Sequence, residues 1–214
     1  MIRRILPYFI LTILTIVWWK FATLTDKYAW NPAGKELLML DISLTTIFVY
    51  KVVFWLIVSN SALFAFIAYL KHKRNTALVS GLLALLVYFF GGHWVNKELA
   101  FSYFAVFRNQ SVSEEFIDRP ILESGYYIGP ELTQYIQEKS AEDRRYAISR
   151  LGKIKYEAAI STLTTILIDV NEPGYIRADA FVALRSIGTK DAYEVITDFE
   201  RTGEQNILDL IKNE

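Results

Sequence analysis

Three long apolar runs in the first 95 residues constrain this 214-residue chain more than any other feature of its sequence. They cover residues 5–24, 52–70 and 76–95. A helix of about 20 residues, rising 1.5 Å per residue, crosses the roughly 30 Å hydrocarbon core of a bilayer. The sequence therefore predicts a membrane domain over residues 1–95 with three transmembrane helices. A cleaved signal peptide is the alternative for the first run, but no small-residue cleavage pattern follows it.

The charged residues divide the chain into two parts of opposite sign. Residues 1–95 hold nine Lys or Arg and three Asp or Glu, whereas residues 96–214 hold 14 and 20, so the formal charges are +6 and −6. An acidic C-terminal part repels phosphate, and we expect no nucleic-acid partner.

Short basic segments predict the orientation of the chain in the membrane. The connection between the second and third runs carries Lys71, Lys73 and Arg74, and Arg3 and Arg4 precede the first run. Such segments stay in the cytoplasm. We therefore expect an integral protein of a bacterial-type inner membrane, with a cytoplasmic N-terminus and the C-terminal domain outside the cytoplasm. The lack of cysteine is compatible with an oxidising compartment.

The second run carries polar residues at its centre, Ser59, Asn60 and Ser61. Hydrocarbon offers no hydrogen-bond partner, so these side chains must find one in protein. Three interpretations stay open: a contact between helices of this chain, a contact with another membrane subunit, or part of a transport site. Lys51, next to the start of the run, is expected to extend to the interface.

Residues 96–128 form a predicted juxtamembrane aromatic linker or helix. Phe101, Phe104 and Phe107 recur at three-residue spacing, with Tyr103 beside them. Contact with lipid and packing on the core of the soluble domain are equally good interpretations.

The last part of the chain, residues 129–214, contains an internal repeat of 33 residues. Sliding the sequence against itself by this distance aligns seven pairs at helical spacing. The pairs are Arg144 with Arg177, Ala147 with Ala180, Leu151 with Leu184, Ile154 with Ile187, Ala159 with Ala192, Leu163 with Ile196, and Ile166 with Phe199. Each unit is predicted to be a pair of helices, and stacked pairs bury one continuous apolar seam. Arg144, Leu151 and Leu184 are among the residues of this set with a predicted structural role.

The segments DRRYAISRLGKIKYEAAISTLTTILID and YIRADAFVALRSIGTKDAYEVITDF resemble HEAT-like repeats of the short phycobilisome-lyase type. The resemblance covers a third of the chain and implies a short α-solenoid that acts as a protein-binding scaffold. Asp169 and Arg177 are similar to the pair that links successive repeats in that family, which implies a structural role for both. Only two units are clear; residues 130–138 and 204–212 are interpreted as an incomplete first unit and a terminal cap.

Residues able to carry out catalysis are few. The chain has two histidines, His72 and His93, neither with a carboxylate at metal-ligand spacing, and no cysteine. No GxGxxG, P-loop or GxSxG pattern occurs. We therefore expect no enzymatic activity, no catalytic or metal-binding residues and no cofactor.

The second helices of the two units are predicted to line up side by side, so that their outward residues form one surface. We term this surface the polar ridge; its residues are Glu157, Ser161, Thr164, Thr165, Lys190, Glu194, Thr197 and Asp198. The ridge leans acidic, so a protein partner should offer basic or hydrogen-bonding groups. The alternative is that the ridge is only the solvated side of two amphipathic helices.

The sequence thus predicts an all-α protein with three transmembrane helices followed by a short α-solenoid of HEAT-like helix pairs. The expected function is that of a membrane-anchored adaptor or scaffold, which binds a protein partner through the repeat domain. The transmembrane helices offer a second contact with partners and with membrane lipid. The alternative is an accessory subunit of a membrane transporter or translocation complex, in which Asn60 and Lys51 line or gate a path.

Overall fold

A computed structural model describes residues 2–23, 35–109, 119–141, 143–202 and 205–212. All regular secondary structure in these ranges is helical. The helices are α1 (Ile2–Thr23), α2 (Lys35–Leu70), α3 (Arg74–Leu86), α4 (Gly92–Arg108), α5 (Arg119–Ser124), α6 (Gly129–Tyr135), α7 (Arg144–Lys153), α8 (Ile160–Ile168), α9 (Gly174–Ile187), α10 (Lys190–Thr202) and α11 (Gln205–Lys212). The chain divides into an N-terminal unit, Met1–Ser111, and a C-terminal unit, Val112–Glu214.

Helix α2 is much longer than the predicted span of residues 52–70. It begins at Lys35 and runs for 36 residues, about 54 Å at 1.5 Å per residue. No glycine or proline interrupts residues 35–70, so nothing in the backbone ends the helix ahead of the apolar run. The predicted span is therefore the second half of one continuous helix.

Helix α2 ends in a tight connection to α3. The amide of Lys73 donates to the carbonyl of Ala68 at 3.0 Å, and the amide of His72 donates to that of Tyr69 at 2.9 Å. These two bonds are those of a Schellman motif, in which His72 takes the left-handed position at φ 57. The motif turns the chain within three residues, so Arg74 already begins the next helix.

Helices α3 and α4 form one continuous helix through a π-helical turn at Val87–Gly91. The sequence predicts that the third span and the membrane domain both end at residue 95, but the helix continues to Arg108. A Cβ atom at Gly91 would lie 3.3 Å from Cε2 of Phe54. The glycine therefore lets the Phe54 ring approach the backbone and does not end the helix.

Two helices in the described ranges are long and apolar enough to cross a membrane, Leu38–Leu70 and Arg74–Arg108. They contain the second and third predicted spans. The first predicted span, residues 5–24, falls on α1, whose apolar segment Phe9–Trp18 is shorter. A third membrane crossing, by α1, therefore stays a prediction.

Burial varies along the helices of the N-terminal unit. Leu40 and Ile47 of α2 are at most 5% exposed, and Leu99 and Tyr103 of α4 are at most 1% exposed. Many large apolar side chains between residues 53 and 90 are instead exposed, as a lipid-facing surface requires. Helices α2 and α4 contact each other. The buried residues named above lie in the first part of α2 and the second part of α4, away from the basic connection.

The predicted juxtamembrane segment is divided between the two units. Residues 96–108 belong to α4, and residues 110–118 lie outside the described ranges. Phe107 is fully buried and its ring lies 6.2 Å from that of Phe104, whereas Phe101 is 61% exposed. Phe107 thus packs inside the protein, Phe104 is half-buried against it, and Phe101 remains for solvent or lipid.

Helix α9 is the centre of the C-terminal unit and contacts α7, α8, α10 and α11. A Cβ atom at Gly152 of α7 would lie 2.8 Å from the Cα atom of Ala183 of α9. Glycine therefore allows α7 to approach α9 this closely.

The seven pairs aligned by the 33-residue repeat are almost all buried. Both members of six pairs are at most 7% exposed, and Leu151 and Leu184 are both fully buried. In the seventh pair Ile187 is buried and Ile154 is half-buried. The residues that the alignment selects are therefore mostly buried in the interior of the C-terminal unit.

Candidate functional site

The polar ridge lies on α8, on α10 and on the turn before α8, and these two helices contact each other. Seven of its eight side chains are exposed, and Thr164 is half-buried. The hydroxyls of Thr164, Thr165 and Thr197 donate to carbonyls four residues earlier in their own helices. Asp198 accepts a 3.1 Å hydrogen bond from Arg201. The ridge is therefore open to solvent, with several polar groups already bonded locally.

A polar cleft of about 360 Å³ opens beside α8. Its lining residues are Gln137, Lys139, Arg144, Ser161, Thr162, Thr165, Ile166, Asp169 and Glu172. Ser161 and Thr165 belong to the polar ridge, so the cleft and the ridge share a border. The same cleft is also lined by Arg144 and Asp169, for which the sequence analysis predicts a structural role.

A buried ion pair between Arg144 and Glu172 lies in the cleft. Nη1 and Nη2 of Arg144 donate to the two carboxylate oxygens of Glu172 at 2.6 and 2.9 Å, and the side chains are 5% and 3% exposed. Nε of Arg144 donates to the carbonyl of Ile136 at 2.6 Å. The Arg144 hydrogen bond lowers the pKa of Glu172. Arg144 thus connects α7 to two other segments, through a bidentate, charge-assisted contact with Glu172 and a hydrogen bond to Ile136.

Lys139 joins this pair from the solvent side. Its Nζ lies 2.7 Å from Oδ2 of Asp169 and 3.4 Å from Oε1 of Glu172, while its side chain is 61% exposed. Asp169 also accepts hydrogen bonds from the backbone and the side-chain amide of Asn171. The bond from Lys139 is the main cause that lowers the pKa of Asp169 to about 2, and the same bond raises the pKa of Lys139.

The charges that line the cleft are balanced. Lys139 and Arg144 balance Asp169 and Glu172, so the cleft has no formal net charge. Exposed ion pairs such as Lys139–Asp169 contribute little to stability.

Arg144 and Arg177 occupy corresponding positions in the C-terminal unit. Each is 4% exposed. Nε of Arg144 donates to the carbonyl of Ile136, which directly follows α6, and Nε of Arg177 donates at 2.8 Å to the carbonyl of Leu167 in the last turn of α8. Each arginine thus satisfies a carbonyl at the end of a preceding helix, which water or another donor would otherwise have to do.

The polar residues at the centre of the second predicted span make two kinds of hydrogen bond. The indole Nε1 of Trp18 in α1 donates to Oγ of Ser59 at 2.9 Å. Asn60 and Ser61 instead donate to the carbonyls of Leu56 and Ile57 in their own helix, at 2.7 and 2.9 Å. Ser59, not Asn60, therefore makes the described contact between helices.

Sequence analysis missed Lys139 and Glu172 as cleft residues. Glu172 lies in the connection between α8 and α9, 28 residues from its partner Arg144, and Lys139 lies between α6 and α7. Neither residue belongs to a periodic pattern. The 33-residue shift places Lys139 on Glu172, but their charges are opposite, so the alignment gives no match there. The signal that could have indicated the site is Arg144 itself, since an arginine on an apolar face needs a buried anion.

In the described ranges, no group of three or more His, Asp or Glu side chains could hold a metal ion. Comparison with protein-family models, curated protein sequences and solved structures gives no match to this chain.

Proposed function

We propose that this chain is a membrane-anchored adaptor with three transmembrane helices, α1, α2 and the continuous α3–α4 helix. Its C-terminal unit is a short HEAT-like solenoid that binds a protein partner carrying basic groups. The observation that carries this proposal is the shared border between the polar cleft and the polar ridge at Ser161 and Thr165.

The contact between α1 and α2 supports a third crossing. The rings of Trp18 and Trp55 stack with centroids 4.7 Å apart, and Trp18 bonds to Ser59. Trp18 lies six residues before the end of the first predicted span, and Trp55 and Ser59 lie four and eight residues after Lys51. Antiparallel helices that cross the same bilayer bring such positions to the same depth.

Aromatic and basic side chains mark a membrane boundary on the proposed outer side. The rings of Tyr50 and Trp94 lie 6.1 Å apart, about 20 residues from the basic connection along each helix. Tyrosine and tryptophan favour this level of the bilayer. Nζ of Lys51 lies 5.2 Å from the ring centroid of Tyr103, farther along α4 than Trp94, as a lysine that extends out of the hydrocarbon would.

Paired geometry at 33-residue spacing supports the solenoid. Arg144 and Arg177 each bond to a carbonyl at the end of a preceding helix, and Leu151 and Leu184 are both fully buried. Stacked helix pairs commonly present the surface of their second helices to a partner. In this chain those helices are α8 and α10, which contact each other and carry the ridge.

Charge reversal on the ridge tests the proposed binding surface. Full-length chain with Glu194→Lys and Asp198→Lys is purified in mild detergent from native membranes over a series of salt concentrations. Glu200→Lys, an exposed acid of the same helix outside the ridge, is the matched control. We expect the double variant to lose a partner that wild type and the control retain, and wild-type recovery to fall with salt because exposed charges are screened.

A second substitution separates the cleft from the ridge. Lys139→Ala removes the ammonium that occupies Asp169, so a basic partner should bind more tightly to this variant than to wild type. Unchanged recovery of every partner in both experiments would reject the ridge and the cleft as the binding surface.

A further inference from the structure

The N-terminal unit has an open apolar groove of about 930 Å³ between α2 and α3, next to the basic connection. Residues from both helices line it: Val58, Ala62, Ala65, Phe66, Tyr69, Arg74, Ala77, Leu78, Gly81, Leu82, Ala84, Leu85 and Tyr88. We propose that this lipid groove binds an anionic phospholipid, with an acyl chain along the apolar lining and the phosphate beside Arg74. The inference rests on the proposed membrane insertion of α2 and α3.

Small residues keep the groove open. Ala62 and Ala65 of α2 face Ala77 and Gly81 of α3 across it. A Cβ atom added at Gly81 would have no neighbour within 4 Å among the described residues. Glycine inside a helix costs roughly 0.5–1 kcal/mol relative to alanine, and here no close contact with the described residues requires it. A molecule lying in the groove would give this glycine a packing role.

The charge at one end of the groove is unbalanced. Arg74 lines the groove, and Lys71 and Lys73 precede it in the connection. All three side chains are exposed, and no carboxylate in the described part of the chain pairs with them. Basic pockets at the cytoplasmic ends of transmembrane helices attract anionic lipid head groups. The unpaired charge therefore favours an anionic lipid over an apolar helix of a second protein, which would leave these charges without a partner.

The groove is long enough to span one leaflet. The helical segment from Arg74 to Tyr88 covers about 21 Å at 1.5 Å per residue. One leaflet contributes about 15 Å to the roughly 30 Å hydrocarbon core. A phospholipid with its phosphate at Arg74 therefore places its acyl chain along the apolar lining.

Native mass spectrometry of the full-length chain in mild detergent tests the inference. The probes are phosphatidylglycerol and phosphatidylcholine with identical acyl chains, supplied in equal amounts. Arg74→Gln removes the charge at the groove, and Gly81→Leu places a side chain inside it. The matched controls are Lys97→Gln, a basic residue of α4 that does not line the groove, and Leu83→Phe, which enlarges an exposed residue of α3 outside the lining.

We expect wild type and both controls to retain phosphatidylglycerol in preference to phosphatidylcholine. Arg74→Gln should reduce this preference about fivefold, the effect of one basic residue at a membrane surface. Gly81→Leu should lower the retention of both lipids. Equal retention of the two lipids by wild type, or unchanged preference in Arg74→Gln, would overturn the inference. A dimer that Gly81→Leu disrupts while lipid retention stays unchanged would also overturn it, in favour of a second copy of the chain.

Alkaline extraction of membranes separates this inference from the proposed function. A chain released by carbonate is not membrane-inserted, and the proposed function fails with the inference. A chain that stays in the membrane but shows no lipid preference rejects the lipid groove alone.

Discussion

Lys155 and Gly188 stand 33 residues apart, and both adopt the left-handed backbone conformation, with φ 52 and φ 72. Gly188 directly follows α9, and Lys155 lies two residues after the end of α7. The amide of Lys155 bonds to the carbonyl of Gly152, and the amide of Gly188 bonds to that of Leu184. The same 33-residue spacing that relates the buried residues thus also relates the turns that follow α7 and α9. Glycine occupies this position in the second unit, and lysine, a residue that rarely adopts it, occupies it in the first.

Lys155→Gly should therefore stabilise the C-terminal unit by about 0.5–1 kcal/mol, because the left-handed penalty for lysine exceeds the extra freedom of glycine in the unfolded chain. Gly188→Ala should destabilise it by about 1 kcal/mol, although a Cβ atom there meets only ordinary contacts. Hydrogen exchange of peptides from α7 and α9 in the full-length chain measures both changes. Equal protection in the two variants would show that these turns are not equivalent.

The buried seam gives a second prediction. Leu151→Ala and Leu184→Ala should each cost about 2–5 kcal/mol, since both side chains are fully buried and leave a cavity. Glu157→Ala on the exposed ridge should stay within about 0.5 kcal/mol. The same hydrogen-exchange measurement distinguishes them. A cost at Glu157 as large as that at Leu184 would mean that the inward and outward faces are wrongly assigned.

The Arg144–Glu172 pair should respond asymmetrically to substitution. Removing one partner, as in Glu172→Ala, leaves a buried charge and should cost about 3–5 kcal/mol. The double variant Arg144→Met with Glu172→Met replaces both charges with apolar side chains and should cost clearly less than either single change. Urea unfolding of the full-length chain in detergent, followed by far-UV circular dichroism, measures the coupling. Additive losses would contradict a direct interaction.

Acid should unfold the C-terminal unit selectively. The hydrogen bond from Arg144 lowers the pKa of the buried Glu172, so the folded chain releases this proton more readily than the unfolded chain. The pKa of Asp169 also falls, from 3.8 to about 2, but its exposed pair with Lys139 adds little to stability. The stabilisation is therefore complete above about pH 5 and is lost as the pH falls towards 2. All five tryptophans lie within residues 1–94, so their fluorescence reports on the N-terminal unit separately.

Far-UV circular dichroism should then show helix loss between about pH 4 and pH 2 before tryptophan fluorescence changes. A variant with Asp169→Asn and Glu172→Gln is the control; it should be less stable at neutral pH and less sensitive to acid. An acid transition of the same size in this variant would assign the pH dependence to other carboxyl groups.

Buried residues of the C-terminal unit could be predicted from the sequence better than helix ends of the N-terminal unit. The residues that the 33-residue alignment selects on α7 to α10 are almost all buried, because burial follows helical spacing; Leu151 and Leu184 are both fully buried. The ends of the membrane helices were predicted less well, because hydropathy detects the apolar stretch and not the helix that contains it. Lys35 and Arg108 are helix ends that no apolar boundary marks.

The cleft shows why part of the site could not be predicted. Ser161 and Thr165 follow from their outward position on α8, whereas Glu172 reaches Arg144 through the path of a loop. Loop geometry depends on the packing of the helices on either side and leaves no periodic signal in the sequence. The turn at His72 is a second example. The left-handed position of a Schellman motif is usually a glycine, and histidine at this position gives no such signal in the sequence.

Labelling of single cysteines in intact cells or sealed vesicles tests the central claim most directly, because the chain has no cysteine of its own. Asn75→Cys, in the first turn of α3, and Ser186→Cys, on α9, are both exposed in the structure. We predict that a membrane-impermeant thiol reagent applied from outside labels Cys at position 186 and leaves position 75 unlabelled until the membrane is opened. Labelling of position 75 with protection of position 186 would place the C-terminal unit in the cytoplasm and contradict the proposed orientation, and immediate labelling of both would contradict membrane insertion of the α2–α3 pair.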